Sequence, residues 1–293
     1  YIEQFKCEIE NLNKEWFVKS WKIVAERHSA LRSAFYHDAF LIPVQVILNK
    51  VEIPLIEFDL QNLRGEALNA QILEIAQKDR EKGFDLKSAP LMRITLIRTS
   101  ETKYRMLWTS HHLLFDGWSL PVLMEEFLSN YQYLSEQKEI PTFKPDLYQD
   151  YIQYLNRIDE EDALNYWANY LEGTSHGTFL PFINNESERN KGLGDYKTAS
   201  LELTPNISKE ILQFAQSNRL TLNTVMQGVW AELLHRYTGS SDVIFGTIVS
   251  GRPDDLQGVE KRVGMYINTL PMRSVKGDEN KTTKWLSTLQ TEQ

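Results

Sequence analysis

The chain has 293 residues, and its 32 Lys and Arg against 40 Asp and Glu give a formal charge of −8. This negative balance excludes a duplex nucleic-acid binder that works through a basic face, because such binding depends on releasing counterions from phosphates. The single cysteine, Cys7, excludes a disulfide framework, and no apolar run reaches membrane-spanning length, so we expect a cytoplasmic protein.

Strand and helix signals alternate along the first half of the chain. Residues 2–9 alternate apolar and polar side chains, which predicts a half-buried strand. Spacings of three and four from Phe17 to Leu31 predict an amphipathic helix, with Asn11 or Asn13 as its N-cap. Further strands are predicted around Val44, Met92 and Tyr104, helices at residues 65–82 and 119–134, and a linker at residues 140–150.

The second half of the chain repeats this alternation. An apolar stripe from Val225 to Tyr237 predicts a helix whose stripe faces the core. Helices separated by strands of mixed character indicate an α+β fold, with α/β two-layer packing. The remaining predicted elements are helices at 147–157, 160–171 and 206–218, a polar surface loop at 173–195, and strands at 196–203, 242–249 and 264–273.

The segment from His111 to Ser119, HHLLFDGWS, carries the clearest chemical signal. Adjacent strand residues point to opposite faces, so the two histidines do not converge on one metal ion. A neutral imidazole accepts a proton at physiological pH, although a histidine at a strand end also commonly serves structure alone. Asp116 either orients a histidine or pairs with a buried arginine and locks the loop.

This segment resembles the HHxxxDG motif of nonribosomal peptide synthetase condensation domains, which belong to the chloramphenicol-acetyltransferase-like superfamily. Residues 26–35 resemble the RHxxLRxxF motif of the same domains, and residues 148–151 resemble their YxDY motif. Residues 263–271 resemble their (I/V)GxxxNT motif and follow Ser250-Gly251-Arg252-Pro253, as in the family. The four motifs occur in family order and cover nearly the whole chain.

The resemblance implies two chloramphenicol-acetyltransferase-like lobes arranged as a V-shaped pseudo-dimer around a tunnel. Residues 1–172 would form the N-terminal lobe with the HHxxxDG motif and the inter-lobe linker, and residues 173–293 the C-terminal lobe. The family's first motif would lie before Tyr1, and further strands would follow Gln293. The second lobe is therefore expected to be incomplete in this chain.

The resemblance also implies an acyltransferase that forms an amide between a donor acyl or peptidyl thioester and the amine of an acceptor aminoacyl thioester. The partners would be an upstream donor and a downstream acceptor carrier protein, together with an adjacent adenylation domain. The carriers would deliver phosphopantetheine, so no cofactor or metal bound to the chain itself is expected.

Residue roles follow from the same resemblance. His112 would face the tunnel as a general base, or as a group that hydrogen-bonds the amine and stabilises the tetrahedral intermediate. Asp116 would be structural and paired with an arginine such as Arg27 or Arg32, or would orient His112. Gly117 would allow close backbone approach beside the histidine. The supporting and tunnel residues would be His111, Trp118, Ser250 and Asn268, with His28 a packing or hydrogen-bonded residue and Arg252 in a loop ion pair.

Three other functions remain as alternatives. An epimerisation domain shares HHxxxDG but deprotonates a carbon, and Trp118-Ser119 together with the RHxxLR segment disfavours it. A free-standing acyltransferase of the superfamily would use coenzyme A instead of carriers. A non-catalytic carrier-docking module is disfavoured, because the histidines, the aspartate and the glycine of the motif are all present.

Overall fold

A computed structural model describes residues 1–174, 177–183, 198–276 and 281–293. The chain divides into two compact units. The first holds Tyr1–Ile158 together with Ser250–Ile267, and the second holds Asp159–Val249 and Asn268–Gln293. The lobe boundary predicted between residues 172 and 173 stays a prediction. No helix in these described ranges is long and apolar enough to cross a membrane.

A four-stranded sheet forms the centre of the first unit, with the strand order β1-β6-β5-β4. Strand β6 pairs antiparallel with both of its neighbours, and β4 pairs parallel with β5. Strands β2 and β3 form a separate antiparallel hairpin. The sequence did not predict β2 or β4, because strands of four or five residues show too little periodicity. The strands are β1 (Ile2–Glu10), β2 (Ser33–Tyr36), β3 (Val44–Ile47), β4 (Leu55–Asp59), β5 (Met92–Arg98) and β6 (Lys103–His111).

Helices cover both faces of this sheet, so the predicted α+β class is confirmed. On one face Trp21 lies 4.7 Å from Trp108 and 4.8 Å from Phe127, measured between ring centroids. On the other face Ile75 packs against Ile97. Aromatic pairs of this kind stabilise a core beyond their buried area. The helices of the first unit are α1 (Lys14–Arg27), α2 (Gly65–Glu81), α3 (Ser119–Ser135) and α4 (Gln149–Leu155).

The N-terminus of α1 confirms one of the two predicted caps, because the side chain of Asn13 accepts a hydrogen bond from Trp16 N at 3.1 Å. The helix ends at Arg27, before Leu31, where the predicted apolar pattern ends. His28 therefore lies at the C-cap and not inside the helix. It forms an isolated parallel bridge with Asp146.

The second part of the segment predicted as a linker, residues 146–150, is packed into the first unit. Asp146 N donates to Arg27 O at 2.9 Å, and Ser29 N donates to Asp146 O at 3.0 Å. Tyr148, within the segment, and Tyr151 just beyond it are buried in the main hydrophobic core. Residues 141–145 are exposed and have no regular structure, so the prediction of a linker was wrong only for residues 146–150.

The second unit contains four helices and a two-stranded antiparallel sheet within the described residues. Of the strand predicted at residues 196–203, residues 198–203 have no regular structure and residues 196–197 lie outside the described part of the chain. Most of the loop predicted at residues 173–195 also lies outside the described part. The predicted strand at 264–273 begins only at Asn268. The elements are α5 (Glu160–Tyr170), α6 (Pro205–Ser217), α7 (Leu222–Thr238), β7 (Asp242–Val249), β8 (Asn268–Val275) and α8 (Thr282–Thr291).

Helix α7 buries only part of the predicted stripe, namely Val225 and Leu234. Gly228 and Ala231 lie on its buried side, and a Cβ added to Gly228 would lie 2.1 Å from Leu286 of α8. The helices approach closely along these small residues, which a search for large apolar side chains overlooks. The assignment of the whole stripe to the core was wrong, because Met226, Val229, Trp230, Leu233 and Tyr237 are exposed in the described structure.

Candidate active site

The histidine motif occupies the connection between β6 and α3. Strand β6 ends at His111, whose backbone N donates to Leu91 O of the β5 side at 2.9 Å. His112 N donates to Tyr1 O, next to β1, also at 2.9 Å. The two histidine backbones are therefore held from both sides of the strand. The chain then turns, and α3 begins at Ser119.

Asp116 is the most heavily bonded side chain of this loop and is 1% exposed. Its Oδ1 accepts from Ser119 N at 3.0 Å, Ser119 Oγ at 2.8 Å and Arg252 Nη2 at 3.2 Å. Its Oδ2 accepts from Tyr266 N at 3.1 Å and Ile267 N at 3.3 Å. Five donors satisfy the buried carboxyl group and join the loop to residues 250–267.

The arginine that pairs with Asp116 is Arg252, so the predicted pairing with Arg27 or Arg32 was wrong. Arg27 pairs with Glu126 at 2.8 Å, and Arg32 caps backbone carbonyls, including Ala25 O at 3.1 Å. Arg27, at the end of α1, and Arg32, just after it, therefore already have other hydrogen-bond or ion-pair partners. The Arg252 side chain is 4% exposed, and its guanidinium lies 4.1 Å from the Tyr266 ring centroid. The prediction of a loop ion pair for Arg252 is confirmed.

The imidazole of His112 is oriented by a backbone carbonyl and not by Asp116. Its Nδ1 lies 3.2 Å from Phe115 O, and a carbonyl oxygen only accepts, so Nδ1 carries the proton. In the neutral ring Nε2 then holds a free lone pair. The Oε1 atom of Glu3 lies 3.5 Å from Nε2, and the His112 side chain is 35% exposed. The orientation of His112 by Asp116, the second of the predicted roles, is not observed among the described residues.

His111 is held in the opposite tautomer. Its Nδ1 accepts a hydrogen bond from Leu113 N at 3.1 Å, which leaves the ring proton on Nε2. Partial burial lowers the pKa of His111 from the usual value, so the ring is neutral near pH 7. A neutral ring that accepts from the local backbone fits the predicted supporting role, which stays a prediction.

A second ionic cluster lies behind the motif. His28 is fully buried, with Nδ1 2.8 Å from Asp146 Oδ2 and Nε2 2.8 Å from Glu126 Oε2. Burial alone would lower the pKa of His28, but the hydrogen bonds with Asp146 and Glu126 outweigh burial and raise it. Because both nitrogens face carboxylates, the ring is doubly protonated. His28 is thus a hydrogen-bonded structural residue, as predicted.

Tyr148 joins the family-like segments through its hydroxyl, which donates to Met265 O at 2.5 Å. Its ring packs edge-on against Tyr266 with centroids 5.6 Å apart. Gly264 makes this possible, because a Cβ there would lie 2.3 Å from the Tyr148 ring. Gly251 has φ +59°, and a Cβ there would lie 1.8 Å from Tyr266 O. The motif segments at residues 148–151, 250–253 and 263–267 therefore form one packed cluster.

The remaining predicted site residues are less closely engaged. A Cβ on Gly117 would meet no atom within 4 Å of the described structure, and the predicted close backbone approach at this glycine stays a prediction. Trp118 is 55% exposed, and its Nε1 donates to Glu260 O at 3.0 Å. Ser250 is exposed in the first unit, and Asn268 begins β8 in the second unit. Tunnel roles for these three residues stay predictions.

Known proteins place this arrangement in a family. A sequence model described as the condensation domain matches residues 1–293. The chain is 36% identical to a linear gramicidin synthase of Brevibacillus parabrevis over 100% of its length, and 35% identical to bacitracin synthase 3 of Bacillus licheniformis over 97%. The chain belongs to the condensation domain family. The resemblance inferred from the four motifs is confirmed.

Solved structures support the fold of this condensation domain chain. The first condensation domain of the calcium-dependent antibiotic synthetase matches with TM-score 0.76 and 19% identity, covering 100% of this chain and 67% of the other. The epimerisation domain from the third module of tyrocidine synthetase B matches with TM-score 0.80 and 20% identity, covering 100% and 66%. The chain spans 6% of the gramicidin synthase and 4% of the bacitracin synthase.

Sequence reasoning missed several residues of the condensation domain site. Glu3 gave no signal, because a charged residue on an alternating edge strand is ordinary. Glu126 and Asp146 are likewise single acidic residues whose partner, His28, is 98 and 118 positions away. Arg252, by contrast, was singled out from the sequence, because it precedes a recognised motif.

Proposed function

We propose that this condensation domain joins a carrier-bound donor thioester to the amine of a carrier-bound acceptor. The amine nitrogen attacks the thioester carbonyl carbon, the C–N bond forms, and the C–S bond breaks to release a thiolate. The proton lost by the amine passes to the thiolate. The observation that carries the proposal is the hydrogen bond of His112 Nδ1 with Phe115 O, which leaves Nε2 as the atom of the neutral ring that accepts a proton.

His112 serves this reaction through Nε2. A lone pair on a ring held by a backbone carbonyl can accept the proton of the attacking amine. The α-amino group titrates near 7.7–8.0, so at neutral pH only modest help is needed to supply the uncharged nucleophile. Glu3 Oε1, 3.5 Å from Nε2, places negative charge where the imidazolium would form. We assign His112 as the general base, and Asp116 and Gly117 as residues that shape its loop.

Few catalytic groups are required for this chemistry. Holding two tethered reactants together supplies much of the acceleration, since well-oriented pairs reach effective molarities of about 10⁵ M and above. The proposed partners are an upstream donor carrier, a downstream acceptor carrier and a neighbouring adenylation domain. The carriers would deliver phosphopantetheine, and the residues of the candidate site would then bind and orient the acyl or aminoacyl group attached to it.

The test is the His112→Ala variant of the full-length protein, assayed by mass spectrometry of both carriers after mixing. We expect product formation to fall by about 10²–10⁴-fold, the usual contribution of a general base. Leu113→Ala is the matched control, because Leu113 is an exposed neighbour in the same turn. An undiminished rate in a folded His112→Ala protein would overturn the assignment of His112.

Epimerisation is the second candidate, favoured by the fold match to the tyrocidine synthetase B epimerisation domain at TM-score 0.80. The same His112 Nε2 would then take a proton from the α-carbon instead of from an amine. Incubation with a carrier-bound amino acid in deuterated water separates the two reactions. Deuterium at the α-carbon without a longer product would replace condensation by epimerisation.

A further inference from the structure

Strand β4 lies at one edge of the four-stranded sheet, and among the described residues it pairs with β5 alone. Pro54 O, just before the strand, accepts from Ile94 N of β5 at 2.9 Å. Because the backbone groups of successive strand residues point to alternate sides, those of Leu55, Glu57 and Asp59 point away from β5. The outer side of β4 therefore presents a row of free N–H and C=O groups.

Two apolar cavities lie on opposite faces of the sheet at this strand. One, of about 250 Å³, is lined by Leu55 of β4 together with residues of α1 that include Val18. The other, of about 260 Å³, is lined by Ile56 and Phe58 of β4 together with residues of α2. Val18 is 49% exposed and Phe58 is 40% exposed, so both cavities reach solvent. Successive side chains of β4 thus face one cavity and then the other.

An extended peptide that paired with the free side of β4 would place its own side chains beside the same two cavities. Residues directly opposite each other on paired strands lie on one face of a sheet, and successive residues alternate between faces. Neighbouring residues of the peptide would therefore cover the two cavities in turn. Each cavity is smaller than the roughly 300 Å³ at which small-molecule sites begin, so each suits one apolar side chain better than a whole ligand.

The charge on β4 indicates which peptide fits. The strand carries two exposed carboxylates, Glu57 and Asp59, and no cation. Glu57 ion-pairs with Lys14 of α1, and Asp59 lies opposite Arg98 on β5. A basic side chain on an added strand would approach the same carboxylates from the other side of β4, and opposite charges across strands are favourable. A second copy of β4, paired antiparallel about Glu57, would instead bring carboxylate against carboxylate.

We propose that the free side of β4 binds an extended segment of a partner protein, which adds to the sheet as an antiparallel strand. Backbone hydrogen bonds supply affinity in this mode of binding, and alternate side chains supply specificity. The segment carries, in order, a basic, an apolar, a basic and two apolar residues, which lie opposite Asp59, Phe58, Glu57, Ile56 and Leu55. This interaction is independent of the proposed condensation reaction.

The probe is a fluorescein-labelled peptide of sequence Ser-Lys-Val-Lys-Val-Leu-Ser, whose binding to the full-length protein is measured by fluorescence anisotropy. In the antiparallel pairing, the backbones of its two lysines bond to Asp59 and Glu57, whereas the valine amides point to solvent. We expect N-methylation of both lysine amides to abolish binding, and N-methylation of both valine amides to change Kd by about twofold or less. The two methylated peptides match in mass, charge and side chains.

A charge-reversed strand tests the second part of the proposal. We expect the Glu57→Lys/Asp59→Lys variant to bind the lysine peptide about tenfold more weakly, and to prefer the same peptide with glutamate in place of lysine. Glu8→Lys/Glu10→Lys is the matched control, because these two exposed carboxylates lie on β1, the other edge strand of the sheet. Binding to this control should be unchanged.

Thermal unfolding checks that both double variants are folded, and if Glu57→Lys/Asp59→Lys is not, the methylated peptides decide. No binding to the unaltered protein, or equal binding of the two methylated peptides, would overturn strand addition at β4. Weaker binding in the β1 variant alone would assign the peptide to the opposite edge and would also overturn the proposal. Self-association of the unaltered protein that is lost in Glu57→Lys/Asp59→Lys would overturn it in favour of a second copy.

Discussion

The motif loop has two ends with contrasting environments. At one end Asp116 is 1% exposed and accepts five hydrogen bonds, all from Ser119, Arg252 and the backbone at Tyr266 and Ile267. At the other end the His112 side chain is about one third exposed, and of its two ring nitrogens only Nδ1 has a hydrogen-bond partner closer than 3.5 Å within the described part of the chain. One short motif thus combines a buried aspartate that is fully bonded with a half-buried histidine whose Nε2 faces open space and Glu3.

The largest expected loss of stability comes from removing the buried carboxylate of Asp116. Asp116→Ala removes the carboxylate that accepts from Arg252 and from three backbone N–H groups in a buried place, which costs roughly 3–5 kcal/mol of unfolding free energy. Denaturant titration measures the change. Glu74→Ala, which removes an exposed ion pair with Lys78, should leave the free energy of unfolding almost unchanged. Equal losses in the two variants would contradict the contrast between the buried aspartate and ordinary surface charges.

A smaller effect tests the packing behind the loop. Gly264→Ala pushes a methyl group into the Tyr148 ring, so we expect a loss of roughly 1–3 kcal/mol of stability. Gly117→Ala adds the same group where no atom of the described structure lies within 4 Å and should change stability by about 0.5 kcal/mol or less. Melting temperatures compare the two substitutions. A larger loss of melting temperature in Gly117→Ala than in Gly264→Ala would contradict the open space found beside Gly117.

The smallest effect depends on pH and concerns His28. The hydrogen bonds with Asp146 and Glu126 raise its folded pKa above the unfolded value near 6.5 against the effect of burial. The protonated ring therefore stabilises the fold fully below pH 6.5, and this stabilisation is lost as pH rises through the raised pKa. Arg27 and Arg262, ion-paired with the same carboxylates, keep their charge over this range.

Melting temperatures measured from about pH 6 upward, the direction in which the stabilisation is lost, check this expectation. His28→Gln should flatten the decline, because glutamine carries no titrating proton. The exposed His37→Gln is the control and should keep the slope of the unaltered protein. A slope that persists in His28→Gln would assign the pH dependence to another group.

Strong local periodicity explains what could be predicted of the fold. Strand β1, helix α2 and helix α3 were found nearly at their observed limits, since their patterns run for nine residues or more. Strands β2 and β4 were missed because four or five residues cannot display a period. The buried face of α7 was predicted only in part: Val225 and Leu234 are buried as expected, whereas the small residues Gly228 and Ala231 were overlooked because they lack large apolar side chains.

The sequence predicted which residues belong to the candidate site, but not which of them form ion pairs with one another. His112, Asp116 and Arg252 were each singled out from sequence, yet Asp116 was given to the wrong arginine. Arg27 and Arg32 lie nearer to it in sequence, whereas Arg252 is 136 positions away. Nothing in the local pattern reports such a contact, because the partner is chosen by tertiary packing.

The return of residues 250–267 to the first unit also has a consequence for biosynthesis. Asp116 emerges from the ribosome 150 residues before Tyr266, whose backbone it binds. At about 5–20 residues per second, the buried carboxylate waits roughly 8–30 s for its set of donors to be completed. During that interval the nascent first unit exposes an unpaired charge and the surface that the returning segment will cover. Chaperone binding to the growing chain should therefore persist until residue 267 has been translated.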